Sequence, residues 1–260
     1  MILLRSLLFN LWFYLVTLAL ALAAYIPRAV TRSRVPQWAI ARAWARWTLG
    51  GLRLLTGARW QVSGLEHLPQ GPALIASMHQ SAFDTMVWML LVPRPCYVLK
   101  RELVRLPVFG AMCRATEMIA VDRDAGGAAI RGLLRETDRA VAEGRQIVIF
   151  PEGTRMPPGQ IGGLQPGIAA MASRSRLPVI PVATNSGLCW GRRAFRKRAG
   201  TIHVAILPPL PAGLPRAELL VRLEQAFAAG AAALAVENSG GKTPSGFASR
   251  TSGLAQPIDE

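Results

Sequence analysis

Acidic residues are scarce in this chain. Its 260 residues hold 15 Asp and Glu against 30 Lys and Arg, a formal net charge of +15. An imbalance of that size implies an anionic partner: nucleic acid, an anionic membrane surface or a phosphorylated substrate. Cysteine is scarcer still. Cys96, Cys113 and Cys189 are odd in number and widely spaced, with no CxxC pair. That excludes a zinc knuckle, a redox couple and a disulfide framework, so all three are expected as small buried apolar residues. Histidine is limited to His67, His79 and His203. No HExxH, HxH or paired-carboxylate pattern supports a metal site, so none is expected. Walker and dinucleotide fingerprints are absent, and so is a GxSxG nucleophile elbow.

What the chain has in quantity is apolar length: hydrophobic residues make up 51% of it. From Ser6 to Pro27 there is no charge, and roughly 20 apolar residues suffice to cross a bilayer. Residues 1–27 are therefore expected as a membrane anchor, spanning or re-entrant. Two alternatives stay open. One is a cleaved signal peptide, since Ala21-Leu22-Ala23 resembles a small-x-small site; the other is a buried core helix. Arg5 precedes the run, and Arg28, Arg32 and Arg34 follow it. The positive-inside rule then puts the body on the cytoplasmic side of the inner membrane.

Residues 28–60 form a basic segment. Between Gln37 and Leu55, Arg42, Arg46 and Arg53 recur at helical spacing, as do Ile40, Trp44 and Trp47. A helix with one basic stripe and one Trp-bearing stripe suits the headgroup layer or the surface of the domain core. Residues 61–236 alternate short apolar runs with helical patterns. Strands are expected at 61–65, 73–77, 97–99, 119–121, 146–150, 179–182 and 201–206. Helices are expected at 83–91, 127–143, 167–175 and 216–236, with a turn over 107–114. That alternation gives an α/β fold, a largely parallel central sheet flanked by helices. The Ser-, Gly- and Pro-rich residues 237–260 are expected to be a disordered tail.

The chemistry is concentrated after the 73–77 strand, where the chain presents His79 and then Asp84. Neutral imidazole is a natural general base, and a carboxylate on its other nitrogen fixes the tautomer. Residues five apart on a helix point about 140° away from each other. The pair can therefore meet only if His79 lies in the turn before a helix and Asp84 in its first turn. Three more segments put cations at strand ends, where open α/β sheets bind ligands: Lys100-Arg101, Asp122-Arg123, and Phe150-Pro151-Glu152-Gly153-Thr154-Arg155. Gly153 permits a sharp turn, and Thr154 and Arg155 offer a hydroxyl and a planar fork suited to phosphate.

These segments resemble the glycerophospholipid acyltransferase family. His79 and Asp84 match its HxxxxD motif. The stretch from Gly110 to Val121-Asp122-Arg123 is similar to its second motif, Phe150 to Arg155 to its third, and Val179-Ile180-Pro181-Val182 to its fourth. The resemblance implies transfer of an acyl chain from acyl-CoA or acyl carrier protein to the sn-2 hydroxyl of 1-acyl-glycerol-3-phosphate. His79 would act as base and Asp84 would orient it. Lys100, Arg101, Arg123, Glu152, Gly153, Thr154 and Arg155 would bind substrate, with no cofactor and no acyl-enzyme. Gln165 stands where relatives often carry a lysine, which keeps lyso-ornithine lipid or another lysophospholipid open as the acceptor. The late cluster Arg192, Arg193, Arg196, Lys197 and Arg198 is left between lipid headgroups, donor phosphates and a solvated loop. Anionic membrane lipids are an expected partner. A membrane-bound ester or thioester hydrolase is the rival from another class. Nucleic acid is not expected, because after Trp60 the basic stretches mostly lack the aromatics that base stacking needs.

Overall fold

The computed structural model describes residues 1–31, 35–106 and 109–238. Arg32 and Arg34 of the basic flank, Pro107 and Val108, and the expected tail beyond 238 lie outside them. Seven strands form one sheet in the order β1-β7-β6-β2-β5-β3-β4. They are β1 (Ala58–Ser63), β2 (Leu74–Ser77), β3 (Cys96–Lys100), β4 (Ile119–Val121), β5 (Ile147–Ile149), β6 (Val179–Thr184) and β7 (Gly200–Ile206). All neighbours are parallel except β6 and β7.

β2, β5 and β6 are buried at every residue. That explains why they read as unbroken apolar runs rather than as alternation. One face of the sheet, with Ile75, Val148, Ile180 and Val204, packs against α2 (Val35–Gly51) and α3 (Phe83–Leu91). The other, with Leu74, Ile147, Ile149 and Ala183, packs against α6 (Gly127–Ala142), α7 (Gly167–Ser175) and α8 (Arg216–Asn238). The largely parallel sheet flanked by helices is the expected fold.

Three features differ from the sequence reading. The sheet begins at Ala58, inside the segment assigned to the interface, because Ala58 and Val62 bury themselves against β7. The expected turn at 107–114 contains a helix, α5 (Phe109–Ala115), preceded by the short α4 (Arg101–Val104). Gly110 lets the two touch: a Cβ there would lie 2.0 Å from the Val104 carbonyl oxygen. The third concerns α2, where the stripe sealed in the core is the small one, Ala41, Ala45 and Leu49. Trp44 and Trp47 turn instead to α1 (Ile2–Thr31), and Trp38 lies under the Arg145 guanidinium.

α1 does not stand away from the body. Phe9 is fully buried, edge-on to Trp190 with ring centroids 5.1 Å apart. Trp12 Nε1 donates to the Trp47 carbonyl at 3.0 Å, and Trp44 Nε1 donates to Thr17 Oγ1 at 2.9 Å. The opposite side, with Leu4, Leu8, Leu11, Leu15, Leu18 and Leu22, is exposed. The stretch Ile2–Ala23 has the length and hydropathy to cross a membrane, and so has Arg216–Val236. The latter is a core helix along one side, with Leu219, Leu223, Phe227 and Leu234 buried. Phe227→Ala should therefore cost about 3–5 kcal/mol of unfolding free energy; a urea unfolding curve that shifts no more than for an exposed substitution would contradict this packing.

Candidate active site

β2 ends under its neighbours, and the chain then turns through His79 to enter α3. Asp84 lies in the first turn of that helix. Its Oδ2 accepts from the Gln80 and Ser81 backbone amides, both at 2.7 Å, and lies 3.1 Å from His79 Nδ1. A carboxylate oxygen only accepts, so the imidazole proton is assigned to Nδ1 and the lone pair to Nε2. Asp84 is buried, whereas the His79 side chain retains 13% exposure. The base is therefore fixed from behind and open in front, as the helix-entry geometry required.

The third motif holds His79 from three sides. Glu152 Oε2 accepts the His79 backbone N–H at 2.7 Å. The Met156 backbone N–H donates to the His79 carbonyl at 2.7 Å. The Phe150 ring stacks on the imidazole, centroids 4.2 Å apart and 23° from parallel. Parallel pairing of β2 with β5, Ala76 opposite Ile149, brings these strand ends together. Sequence reasoning passed over Phe150. Its position, one residue past a buried strand and before Pro-Glu-Gly, was the available signal.

The remaining expected residues divide. Arg155 is half-buried and follows Thr154, which is exposed. Burial pulls its guanidinium below the ordinary value, and the like charges of Arg192 and Arg193 add to this against the opposing charge of Asp84. An anion placed there would relieve all three effects. Arg123 Nη1 donates to the Gly153 carbonyl at 2.8 Å. Gly153 has φ +70°, and a Cβ would lie 2.8 Å from that nitrogen, so glycine is needed twice over. Glu152 faces inward, joining the His79 amide to that of Gly162 at 3.3 Å, and so braces the loop rather than meeting a glycerol hydroxyl. Lys100 ends β3, and Arg101 pairs with Asp122 at 3.1 Å in the open. β5 lies between β3 and β2, and among the described residues no hydrogen bond or ion pair links either cation to the His79 group.

Two further positions belong here. Gln165 lies beside the Gly153 turn and donates its backbone N–H to the Pro151 carbonyl at 2.7 Å. The departure from the family pattern is thus at the site itself. Gln80 is buried, and its Oε1 accepts the Gly187 backbone N–H at 3.1 Å. That bond ties the loop between β6 and β7 to the turn that carries His79. His67 Nδ1 lies 2.9 Å from the Ile206 carbonyl, and His203 is within β7, so both are structural.

Residues 59–185 match the profile of the acyltransferase family. The chain is 37% identical over 173 residues to the 1-acyl-sn-glycerol-3-phosphate acyltransferase of Pseudomonas aeruginosa, covering 66% of this chain and 67% of that one. It belongs to the acyltransferase family. The human 1-acyl-sn-glycerol-3-phosphate acyltransferase alpha is 30% identical over 165 residues, 62% of this chain and 58% of the human one. Among solved structures, the 1-acyl-sn-glycerophosphate (LPA) acyltransferase of Thermotoga maritima superimposes with a TM-score of 0.74 at 21% identity. It covers 90% of this chain and 98% of its own. This acyltransferase thus shares that fold over most of its length.

Burial pushes the Glu152 carboxyl up from 4.5 to about 7; the Asp84 charge adds to this, while the two amide bonds oppose it. A folded-state value above the unfolded one contributes stability that is fully present below about pH 4.5 and is lost as pH rises through about 7. Urea unfolding between about pH 5 and about pH 8 should show wild type losing stability relative to Glu152→Gln. Parallel profiles would mean that the buried carboxyl titrates like a free one.

Proposed function

We propose that the chain acylates the sn-2 hydroxyl of 1-acyl-glycerol-3-phosphate, giving phosphatidate, with acyl-CoA or acyl carrier protein as donor. The observation that carries this reading is the bond from the Met156 N–H to the His79 carbonyl. It joins the residue after Arg155 to His79, and the Asp84 charge acts on the Arg155 guanidinium, which supports a single small phosphate ester meeting both. Nε2 takes the acceptor's hydroxyl proton as its oxygen attacks the thioester carbonyl. Asp84 stabilises the imidazolium that forms, and the thiol leaves with the proton returned to it. Arg155 holds the acceptor phosphate, with Arg123 close behind through Gly153.

The relatives' names support the acceptor. The cation-rich mouth also favours a phosphate over the water that a hydrolase would need there. We further infer that the domain sits on the cytoplasmic face of the inner membrane. The arginines after residue 27 favour that side, and the exposed leucines of α1 favour contact with lipid. Gln165 keeps lyso-ornithine lipid as a second candidate acceptor, since a lysine contact to the phosphate is missing at the Gly153 turn.

The test supplies acyl-CoA and labelled lysophosphatidate to purified protein in vesicles. His79→Ala should lower kcat about 10²–10⁴-fold. Arg155→Ala should weaken acceptor use about 10- to 150-fold, the equivalent of roughly 1.5–3 kcal/mol for a charge-assisted contact. Thioester hydrolysis with no acyl transfer to any lysolipid would reject the reading; transfer that survives His79→Ala would reject the mechanism alone.

A further inference from the structure

The loop from Asn185 to Ala199, between β6 and β7, inverts the usual placement of side chains. Its lysine points inward and its phenylalanine points outward. Lys197 is 4% exposed. Its Nζ donates to Asn10 Oδ1 at 2.6 Å, to the Ala194 carbonyl at 2.9 Å and to the Phe195 carbonyl at 3.1 Å. The ammonium also lies 5.6 Å from the Phe9 ring centre and 5.4 Å from that of Trp190. Its backbone N–H donates to Ser6 Oγ at 2.9 Å. Phe195, two residues earlier, is 51% exposed. Burying a lysine among neutral acceptors while leaving a phenyl ring outside is unfavourable on both counts in water. It is reasonable where the outside is lipid.

The surroundings point the same way. Asn10 Nδ2 donates to the Phe195 carbonyl at 3.3 Å, so the loop tip abuts α1. Leu3, Leu7 and Tyr14, which border Asn10 on the helix surface, are all more than half exposed. The Phe195 backbone thus abuts α1 beside its apolar strip. Arg192, Arg193, Arg196 and Arg198 are exposed around it, and no carboxylate pairs with any of them among the described residues. The loop does not swing freely, because the Arg198 N–H donates to the Cys189 carbonyl at 2.8 Å and the Trp190 N–H to the Ser186 carbonyl at 2.9 Å.

We propose that residues 191–198 are a membrane-contact element separate from α1. Phe195 inserts beneath the headgroups, and its flanking arginines bind the phosphates of an anionic bilayer. Lys197 is the internal peg that keeps the loop in this posture. Continuity with the α1 leucine face and the complementary charge together select a lipid surface as the occupant. The proposal rests on the membrane location argued above but not on the reaction.

The test uses the full chain bound to phosphatidylcholine vesicles with and without phosphatidylglycerol. A nitroxide label is placed at Phe195→Cys; the native cysteines are buried and so are poor competitors for it. A second label at Val221→Cys, exposed on α8 on the opposite layer, is the reference. On binding, the label at 195 should become accessible to oxygen and shielded from a water-soluble nickel reagent, while the label at 221 stays aqueous. Arg196→Gln with Arg198→Gln should weaken association with the phosphatidylglycerol vesicles about 30-fold, from two charges near an anionic surface, and leave neutral vesicles unaffected. A label at 195 that remains in water, or a double variant that binds both vesicle types like its parent, overturns the proposal. Neither readout needs turnover, so its failure is separable from failure of the acyl-transfer reading.

Discussion

The backbone of His79 is held at both ends by one neighbouring strand's exit loop, and the site depends on that clamp. Its N–H goes to Glu152 and its carbonyl receives Met156, both at 2.7 Å, with Phe150 stacked on the ring between them. A catalytic base loses much of its effect when it is displaced by about an ångström. Here the imidazole cannot shift without dragging the loop that ends in Arg155. His79 and the Arg155 loop therefore move as one body. The parallel pairing of β2 and β5 creates that body, because it delivers both strand ends to the same edge of the sheet.

The single reversal in the sheet serves the same edge. Since β7 runs antiparallel to β6, the connection between them stays on the side where β2 and β5 end. It reaches Gln80 through Gly187, and Arg155 through a bond from Arg192 to its carbonyl at 3.4 Å. At its far end it receives α1 through Ser6, Asn10 and Phe9. One loop thereby touches α1, the turn that carries His79 and the loop that carries Arg155.

Much of this was legible in the sequence. Helices α3 and α7 and strand β4 fall where their patterns placed them, since each is bounded by a sharp break such as Pro166 or Asp122. The spacing of His79 and Asp84 set the condition for their meeting, a strand-to-helix entry, which the structure meets; the spacing alone did not establish the pair. Other features were illegible for physical reasons. Strand direction is set by pairing with neighbours, so the antiparallel run of β7 against β6 was not encoded in its own residues. Glu152 was expected to bind substrate, and Lys197 was left between lipid, donor phosphates and solvent; both are buried, and each bonds a partner distant in sequence. Ser6 and Asn10 looked like minor blemishes in an apolar run; they are the contacts that dock it. Lys100 and Arg101 stand at a strand end as expected, but strand order, which no local pattern reveals, puts β5 between their strand and that of His79.

The three cysteines complete the chemistry by staying out of it. Each is buried, and burial raises every thiol, that of Cys113 to about 12. Only a thiolate attacks readily. In the proposed reaction, an exposed, ionised sulfur would exchange with a thioester donor and become acylated at the wrong atom. Keeping all three sulfurs protonated and enclosed would leave the acceptor hydroxyl without an internal competitor.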